Sequence, residues 1–489
     1  MLPDWNYVRQ VQGERIVLAN AYLDMANRCR AARDYAGAQE LYQKVVGMVP
    51  HDKVVWTCLG ECWTNLAKYG RAHACYKQAL ACDPGFVPAL MGLADCVTLE
   101  KRPKQALKLL KRAEALLDDD ATVQCQLQVA RGNAYFSMQD FGKAERAYRR
   151  AMKLRPDYYP PYGNLGNILG ARGEFDEARA LYAKAYEMGR DPVMAMNLGI
   201  LDLLRGDYAE GWKWYGTRLE DPRHLEFQRF KGRKLWRGEE VGILYICGEQ
   251  GLGDLTQFIR YLPLARQRAR RLVLEVTAGW EEFAELFGYA DEVVTRQDGM
   301  PLAAEFDAWV PLLNLPPALG LPEPRQAPRA PYLKAAGVAP RERPAVALFW
   351  RGNPEHPCDQ DRSIPLESLV PLVRSQPNIH WFTLHPEDEA AEDIRRTGLP
   401  VTQVKSPLPE ATRRLSEADL VIGADTAPLH IAGALGVPTW MLLAPNPDWR
   451  WGLTGERTPW YPEMRLFRGA ERRAWGSVVR RVTRALGAL

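Results

Sequence analysis

The stretch WTCLGECWTNLAKYGRAHACYKQALACDP, residues 56–84, places Trp56, Leu59, Gly60, Ala72, Tyr76, Ala79 and Pro84 at the offsets of a tetratricopeptide repeat of 34 residues. The same marks return at that period. Pro50 precedes Pro84 by 34 residues, and later copies offer Gly132, Tyr135, Ala144, Tyr148, Ala151 and Pro156, then Tyr162, Leu165, Gly166, Ala178, Tyr182 and Ala185. Weaker copies carry Ala38 and Tyr42 before, Ala106 and Ala113 between, with an insertion around 118–120, and Leu198, Gly199 and Tyr215 after. Small residues at the eighth and twentieth positions let two antiparallel helices close on each other, while aromatics fill the gap to the next pair. Residues 1–218 are therefore expected to form an all-α solenoid of about six hairpins.

Such a solenoid has a concave groove suited to an extended peptide, though an array that only joins copies of the chain is an alternative. Asn133 and Asn167 lie 34 residues apart and Asn164 and Asn197 lie 33 apart. Amides recurring once per repeat on groove-facing helices can hydrogen-bond a peptide backbone whatever its side chains; surface asparagines satisfied by water are the alternative.

After a basic, aromatic connector at 219–240 the period changes. VGILYI (241–246), RLVLEV (271–276), DEVVTR (291–296) and FDAWVPL (306–312) read as strands of a small parallel α/β lobe, 241–330. The proline-rich run 314–344 reads as a stiff crossing between lobes. PAVALFW (344–350), NIHWFTL (378–384), LPVTQV (399–404), DLVIGAD (419–425) and PTWMLL (438–443) then supply a second lobe, 331–489. Two facing parallel lobes imply a cleft, with ligands beyond the carboxyl ends of the strands.

Bulk properties fit a large, ordinary globular chain. Its 489 residues suggest about three domains, and a net charge of +4 is too small to imply a nucleic-acid partner. No run approaches the roughly 18 apolar residues of a membrane span, and the first fifteen residues lack a secretory apolar stretch, so a cytoplasmic location is expected. Nine cysteines, seven of them before residue 126, suit small buried positions of packed helices. Cys58, Cys62, His73 and Cys75 lack the ligand-pair spacings of structural zinc, and no metal is expected.

Glycines and acids gather at two strand ends. In GEQGLGD, residues 248–254, Gly248, Gly251 and Gly253 are spaced GxxGxG around Gln250, so this is no dinucleotide fingerprint, and no lysine follows to make an ATPase phosphate loop. The turn either presents Asp254 as a base to an acceptor hydroxyl or uses it only to cap the helix that follows. In GADTAPLH, residues 423–430, Asp425 and Thr426 stand where a helix begins, with Ala427 and Pro428 in its first turn. Free N–H groups there can seat a pyrophosphate, and His430 lies one turn on; a capping aspartate with a packed histidine is the alternative.

Together the repeats, GEQGLGD…FIRYLPLA, FWRGNP, DRSIPL, GADTAPLHIAGALGVP and PDWRW…PWYPEMRLFR resemble bacterial tetratricopeptide glycosyltransferases related to family 9, the ADP-heptose:lipopolysaccharide heptosyltransferases. The resemblance implies a two-lobed GT-B fold and metal-independent, inverting transfer from a nucleotide sugar, with no cofactor. It also implies Asp254 as general base, Asp425, Thr426, Ala427 and His430 as the donor-pyrophosphate turn, Arg362 against the donor phosphates and Glu387 toward the ribose. Asn353 and Gln250 belong to the same loops. The sequence departs from that pattern at Arg351 and His385, and its DQD at 359–361 only formally matches a metal-binding DxD. The expected acceptor is a serine or threonine of a protein docked by the repeats, flagellin or another surface protein. The alternatives are a lipopolysaccharide or other glycan acceptor, met through a basic and apolar patch from 229–237 and 471–489, and a scaffold without activity.

Overall fold

The computed structural model describes residues 5–117, 119–221, 224–296, 302, 304–334, 343–354, 356 and 359–488, with side chains from Arg15. Part of the expected crossing, 335–342, lies outside these. The chain divides into two compact units, residues 1–198 with 217–228 and residues 199–216 with 229–489.

The helices of the solenoid are α1 Trp5–Ala31, α2 Tyr35–Met48, α3 Lys53–Asn65, α4 Tyr69–Cys82, α5 Val87–Leu99, α6 Pro103–Glu114, α7 Ala121–Ser137, α8 Phe141–Leu154, α9 Pro160–Arg172, α10 Phe175–Gly189, α11 Pro192–Arg205 and α12 Tyr208–Tyr215. The first unit holds α1–α10 and the start of α11. Its repeat marks pack as their sizes demand: Ala38, Ala72, Ala106, Ala144 and Ala178 are completely buried. A Cβ on Gly60, Gly132 or Gly166 would lie 2.7, 2.2 and 2.7 Å from the rings of Tyr76, Tyr148 and Tyr182. Aspartate caps start many of the helices; Asp34, Asp52, Asp120 and Asp140 accept backbone N–H groups of the turn that follows.

The second unit contains α12 and two parallel sheets. The first has β1 Val241–Cys247, β2 Ala269–Val276, β3 Glu292–Thr295 and β4 Ala308–Pro311, in the order β3-β2-β1-β4. Residues of the expected connector are built into this lobe: Trp236 N–H donates to the Trp309 carbonyl at 2.8 Å, and Phe230 stacks on Trp309 with ring centroids 4.1 Å apart. The second sheet has β5 Ala345–Phe349, β6 His380–Thr383, β7 Val401–Gln403, β8 Leu420–Ala424, β9 Thr439–Leu443 and β10 Met464–Arg468, in the order β10-β9-β8-β5-β6-β7.

Strand β10 is an addition to the expected five. Its arginines, Arg465 and Arg468, stay half-exposed at the sheet edge while Met464, Leu466 and Phe467 are buried, so its apolar run is too broken to stand out. The basic C-terminal segment also differs from expectation. Val478, Val479, Val482 and Leu486 of the helix Gly476–Leu486 pack into the core of this lobe, which removes the apolar half of the imagined membrane patch. Among the described residues no helix is long and apolar enough to cross a membrane.

In the second sheet, strand order reverses between β8 and β5, the switch point at which crevices open in such sheets. Gly423 lies there, and a Cβ on it would stand 2.3 Å from the Phe349 carbonyl oxygen. Gly423→Ala is expected to cost about 1–3 kcal/mol through overpacking. Urea unfolding checks this, and an unchanged midpoint would show that the strands can part without penalty.

Candidate active site

Strand β1 hands over to the helix Leu252–Phe258 through the glycine loop. Gly248 donates its N–H to the Glu275 carbonyl at 2.9 Å, and a Cβ would sit 2.2 Å from that oxygen, so only glycine permits the approach. Gln250 holds a left-handed backbone, φ 60°, and its amide donates to the Tyr215 hydroxyl. Under the loop, buried Glu275 accepts from Tyr245 Oη at 2.6 Å and pairs with Arg229 and Arg296. Burial pushes its carboxyl up, but these donors outweigh it and keep the carboxylate below its ordinary range.

Gly251 is the N-cap of the helix, and Asp254 is its third residue rather than the cap. Asp254 Oδ2 accepts the Gly251 N–H at 2.9 Å, and Oδ1 is ion-paired with Arg450. Gly253 answers to the other lobe: a Cβ there would lie 3.0 Å from His430 Cδ2.

In the second lobe β8 ends at Ala424, and Thr426 caps the helix Ala427–Leu435 with Pro428 in its first turn. The Thr426 side chain makes no cap hydrogen bond. Asp425 precedes the cap, and its Oδ2 accepts from Trp451 Nε1 at 2.8 Å. Its Oδ1 lies 3.8 Å from His430 Nε2, and His430 Nδ1 is 2.9 Å from Tyr461 Oη. Burial raises the Asp425 carboxyl, yet His430 and Trp451 overcome it and hold the group below the ordinary aspartate value. His430, 5% exposed, thus braces Asp425 and the loop at Gly253 instead of standing open toward a phosphate.

Sheet order places the loops after β8, β5 and β6 side by side. The β5 loop carries Asn353, whose carbonyl accepts the His356 N–H at 3.0 Å, and Arg362, whose Nε donates to Asp359 at 3.3 Å. Burial and Arg362 lower the His356 pKa while Asp448 and Asp425 oppose them, so this loop shares the field of the Asp425 turn. Of the DQD acids, Asp361 pairs with Arg472 and Arg473 and Asp359 accepts from Ser363. Glu387 follows β6, where its hydrogen bond with His385 holds its carboxylate low. Arg351 donates to Asp393 at 2.8 Å.

The join between the lobes was not legible in the motifs. In the turn Trp449–Trp451, Arg450 takes Asp254 and the next residue, Trp451, takes Asp425. Arg450 also donates from Nε to Gln257 Oε1 and from Nη1 to Asp448 Oδ1, each at 2.7 Å. Arg260, 1% exposed, donates to the Trp460 carbonyl and Tyr332 hydroxyl, both at 2.8 Å. PDWRW and PWYP had marked these segments, but nothing in a linear reading pairs them with GEQGLGD.

In the first unit the four asparagines join each other. Asn164 Nδ2 donates to Asn133 Oδ1 at 3.0 Å, Asn197 Nδ2 donates to Asn167 Oδ1 at 3.4 Å, and Tyr148 and Tyr182 give their hydroxyl protons to the same two oxygens. The amide oxygens of Asn133 and Asn167 are therefore spent between repeats. The equivalent place one repeat earlier holds Asp95, whose Oδ1 is buried without a hydrogen-bond partner. Burial lifts its pKa to about 7 although the Asn133 amide opposes this. The folded chain then keeps a proton that the unfolded chain releases near the ordinary aspartate value, so stability falls as pH rises from about 4 to 7. Asp95→Asn is expected to stabilise the repeats above pH 7 by up to about 4 kcal/mol and to leave them unchanged at pH 3. Thermal unfolding across pH checks this; a pH-independent difference would contradict it. Among the described residues Cys58, Cys62 and Cys75 do not gather on His73, whose ligand atom lies within 4.8 Å of those of Cys96 and Glu100 instead.

Both halves of the chain resemble known proteins. Residues 380–474 match the family model of glycosyltransferase family 9 (heptosyltransferase). Residues 129–192 and 164–215 match the tetratricopeptide repeat, and residues 22–134 match the middle TPR-like domain of cilia and flagella-associated protein 70. The chain is 24% identical to protein FlbA of Caulobacter vibrioides over 97% of its own length and 84% of that protein. It is 24% identical to human protein O-mannosyl-transferase TMTC1 over 35% of this chain and 19% of that protein. A crystal structure of a thermophilic TPR protein from Thermus thermophilus is 22% identical, with 41% of this chain and 99% of that chain covered at a TM-score of 0.33. The chain thus joins tetratricopeptide repeats to an α/β half of glycosyltransferase type.

Proposed function

We propose that this protein transfers a sugar from a nucleotide-sugar donor to a serine or threonine of a protein docked by its repeats, without metal and with inversion at the anomeric carbon. The observation that carries the reading is that adjacent residues, Arg450 and Trp451, hold Asp254 of one lobe and Asp425 of the other at the carboxyl ends of two parallel sheets. In this reading the first turn of the helix Ala427–Leu435 seats the donor pyrophosphate on backbone N–H groups, with the Thr426 hydroxyl and Arg362 beside it. Asp425 does not meet the phosphates directly; it orients Trp451 and His430 around the turn. Glu387 and Asn353 approach the nucleoside from the neighbouring loops.

Asp254 takes the proton of the acceptor hydroxyl as that oxygen attacks the anomeric carbon and the nucleoside diphosphate leaves with the bonding pair. A carboxylate suffices because the attacking hydroxyl becomes strongly acidic in the transition state. Arg450 and the Gly251 N–H each engage one Asp254 oxygen, and each oxygen keeps a second lone pair for the acceptor proton. The name of the human relative, a protein O-mannosyl-transferase, supports a protein acceptor, and the repeats supply a docking surface of the required kind. The family 9 description supports the glycan alternative.

The test is incubation of the full chain with a panel of nucleotide sugars and either surface and flagellar proteins or lipopolysaccharide, read by intact mass. A sugar mass gained on a protein is the expected result. A gain on the glycan alone would replace the acceptor, and binding of no donor in calorimetry would remove the transferase reading.

A further inference from the structure

A cavity of about 580 Å³ lies in the second unit away from Asp254 and Asp425, within the size range of small-molecule sites. Its walls come from the segment 324–329 between the lobes, the loop 457–462 before β10, and Arg260. Arg260, Arg325, Arg329 and Arg457 all line it, and among the described residues no acidic side chain does. Elsewhere in the chain many arginines have a carboxylate within ion-pair distance; among the described residues these four have none. Arg260 is buried and donates to the Gln257 and Trp460 carbonyls and the Tyr332 hydroxyl, whereas Arg325, Arg329 and Arg457 are exposed. Four like charges around one hollow repel one another, and the arrangement becomes favourable when an anion enters.

The planar forks of exposed Arg325, Arg329 and Arg457 are open to an oxyanion and can bind it two bonds at a time. A single carboxylate supplies one charge and leaves most of the hollow empty. A phosphate monoester or pyrophosphate supplies several charges and enough oxygens for three arginines.

We infer that this cavity binds a phosphate or pyrophosphate group through Arg325, Arg329 and Arg457, with the buried charge of Arg260 behind its wall. It shares no residue with the loops after β5, β6 and β8, and it does not depend on the transferase reading. The group belongs either to a soluble phosphate compound or to a lipid headgroup, and the chemistry of recognition is the same.

Calorimetric titration of the full chain with inorganic pyrophosphate at low salt tests the inference. Arg325 and Arg329 are exposed, so their substitution leaves the core intact. The pairs Arg325→Gln with Arg329→Gln and Arg325→Glu with Arg329→Glu are expected to weaken binding at least tenfold, the second pair more, while Arg362→Ala at the donor turn leaves the cavity's affinity unchanged. Sedimentation with phosphatidylcholine vesicles containing phosphatidic acid then separates the sources. Retention that the glutamate pair abolishes assigns a lipid phosphate, and pyrophosphate binding without retention assigns a soluble one. Absence of pyrophosphate binding, equal affinity in wild type and both arginine pairs, or loss of all binding in Arg362→Ala would overturn the inference.

Discussion

Asp254→Asn should slow sugar transfer by about 10²–10⁴-fold, the usual contribution of a general base, while the chain stays folded. The substitution is nearly isosteric, and an amide oxygen can still accept the Gly251 N–H that Asp254 Oδ2 accepts now. Arg450 keeps Asp448 and Gln257 as partners, so the turn Trp449–Trp451 retains most of its anchorage. What disappears is the capacity to take a proton. Because that proton moves only as the acceptor oxygen attacks, kcat falls while KM changes little. Steady-state kinetics with circular dichroism as a folding control makes the measurement. A kcat within twofold of wild type would assign Asp254 to helix architecture alone.

The second large effect is expected at Arg450, and it concerns stability. Its side chain is 8% exposed and reaches Asp254, Asp448 and Gln257 at once. In Arg450→Met the methionine replaces much of the aliphatic stem, but Asp254 Oδ1 and the buried Gln257 Oε1 lose their donor in a largely buried site. Breaking a buried pair by removing one partner typically costs about 3–5 kcal/mol, because the remaining charge is left uncompensated. Arg450→Lys is expected to recover only part of this, since one ammonium cannot copy a planar fork serving three acceptors. Urea unfolding followed by tryptophan fluorescence reports the loss. A change under 1 kcal/mol in Arg450→Met would mean that the lobes are held by other contacts, Arg260 first among them.

The parts of the fold that were legible in the sequence are those where one residue type answers one local demand. An alanine at the twentieth place of a repeat is there because the facing helix leaves no room, and that reason recurs at Ala38, Ala72, Ala106, Ala144 and Ala178. The strands of both sheets announced themselves as apolar runs because parallel sheets are covered on both faces. β10 escaped because an edge strand tolerates arginines between its apolar residues. The asparagine period was visible, yet its chemistry was not. The tyrosine that claims each amide oxygen comes from the partner helix of the same hairpin, 15 residues on, and the amide that shares it comes from the next repeat.

The candidate site shows the same division. Gly248, Gly253, Asp254 and Asp425 stood out as glycines and acids at strand ends, but the reasons for them lie far along the chain. Gly253 is small because His430 approaches it, and Asp254 meets an arginine 196 residues away. Such pairings exist only once two lobes face each other, and a single sequence carries no register between them. The alternative to Asp254 as a base was a helix cap, and there the cap is Gly251 while Asp254 is the third residue of the helix, a displacement of the size that local signals commonly leave open.

The most direct test of the account is a double-mutant cycle on transfer using Asp254→Asn, Asp425→Asn and the pair. Residues that act as one unit lose their function together, so the double variant should be no slower than about the worse single variant. Fold-losses that multiply, as they do for distant and independent positions, would contradict the claim that the two aspartates serve one site.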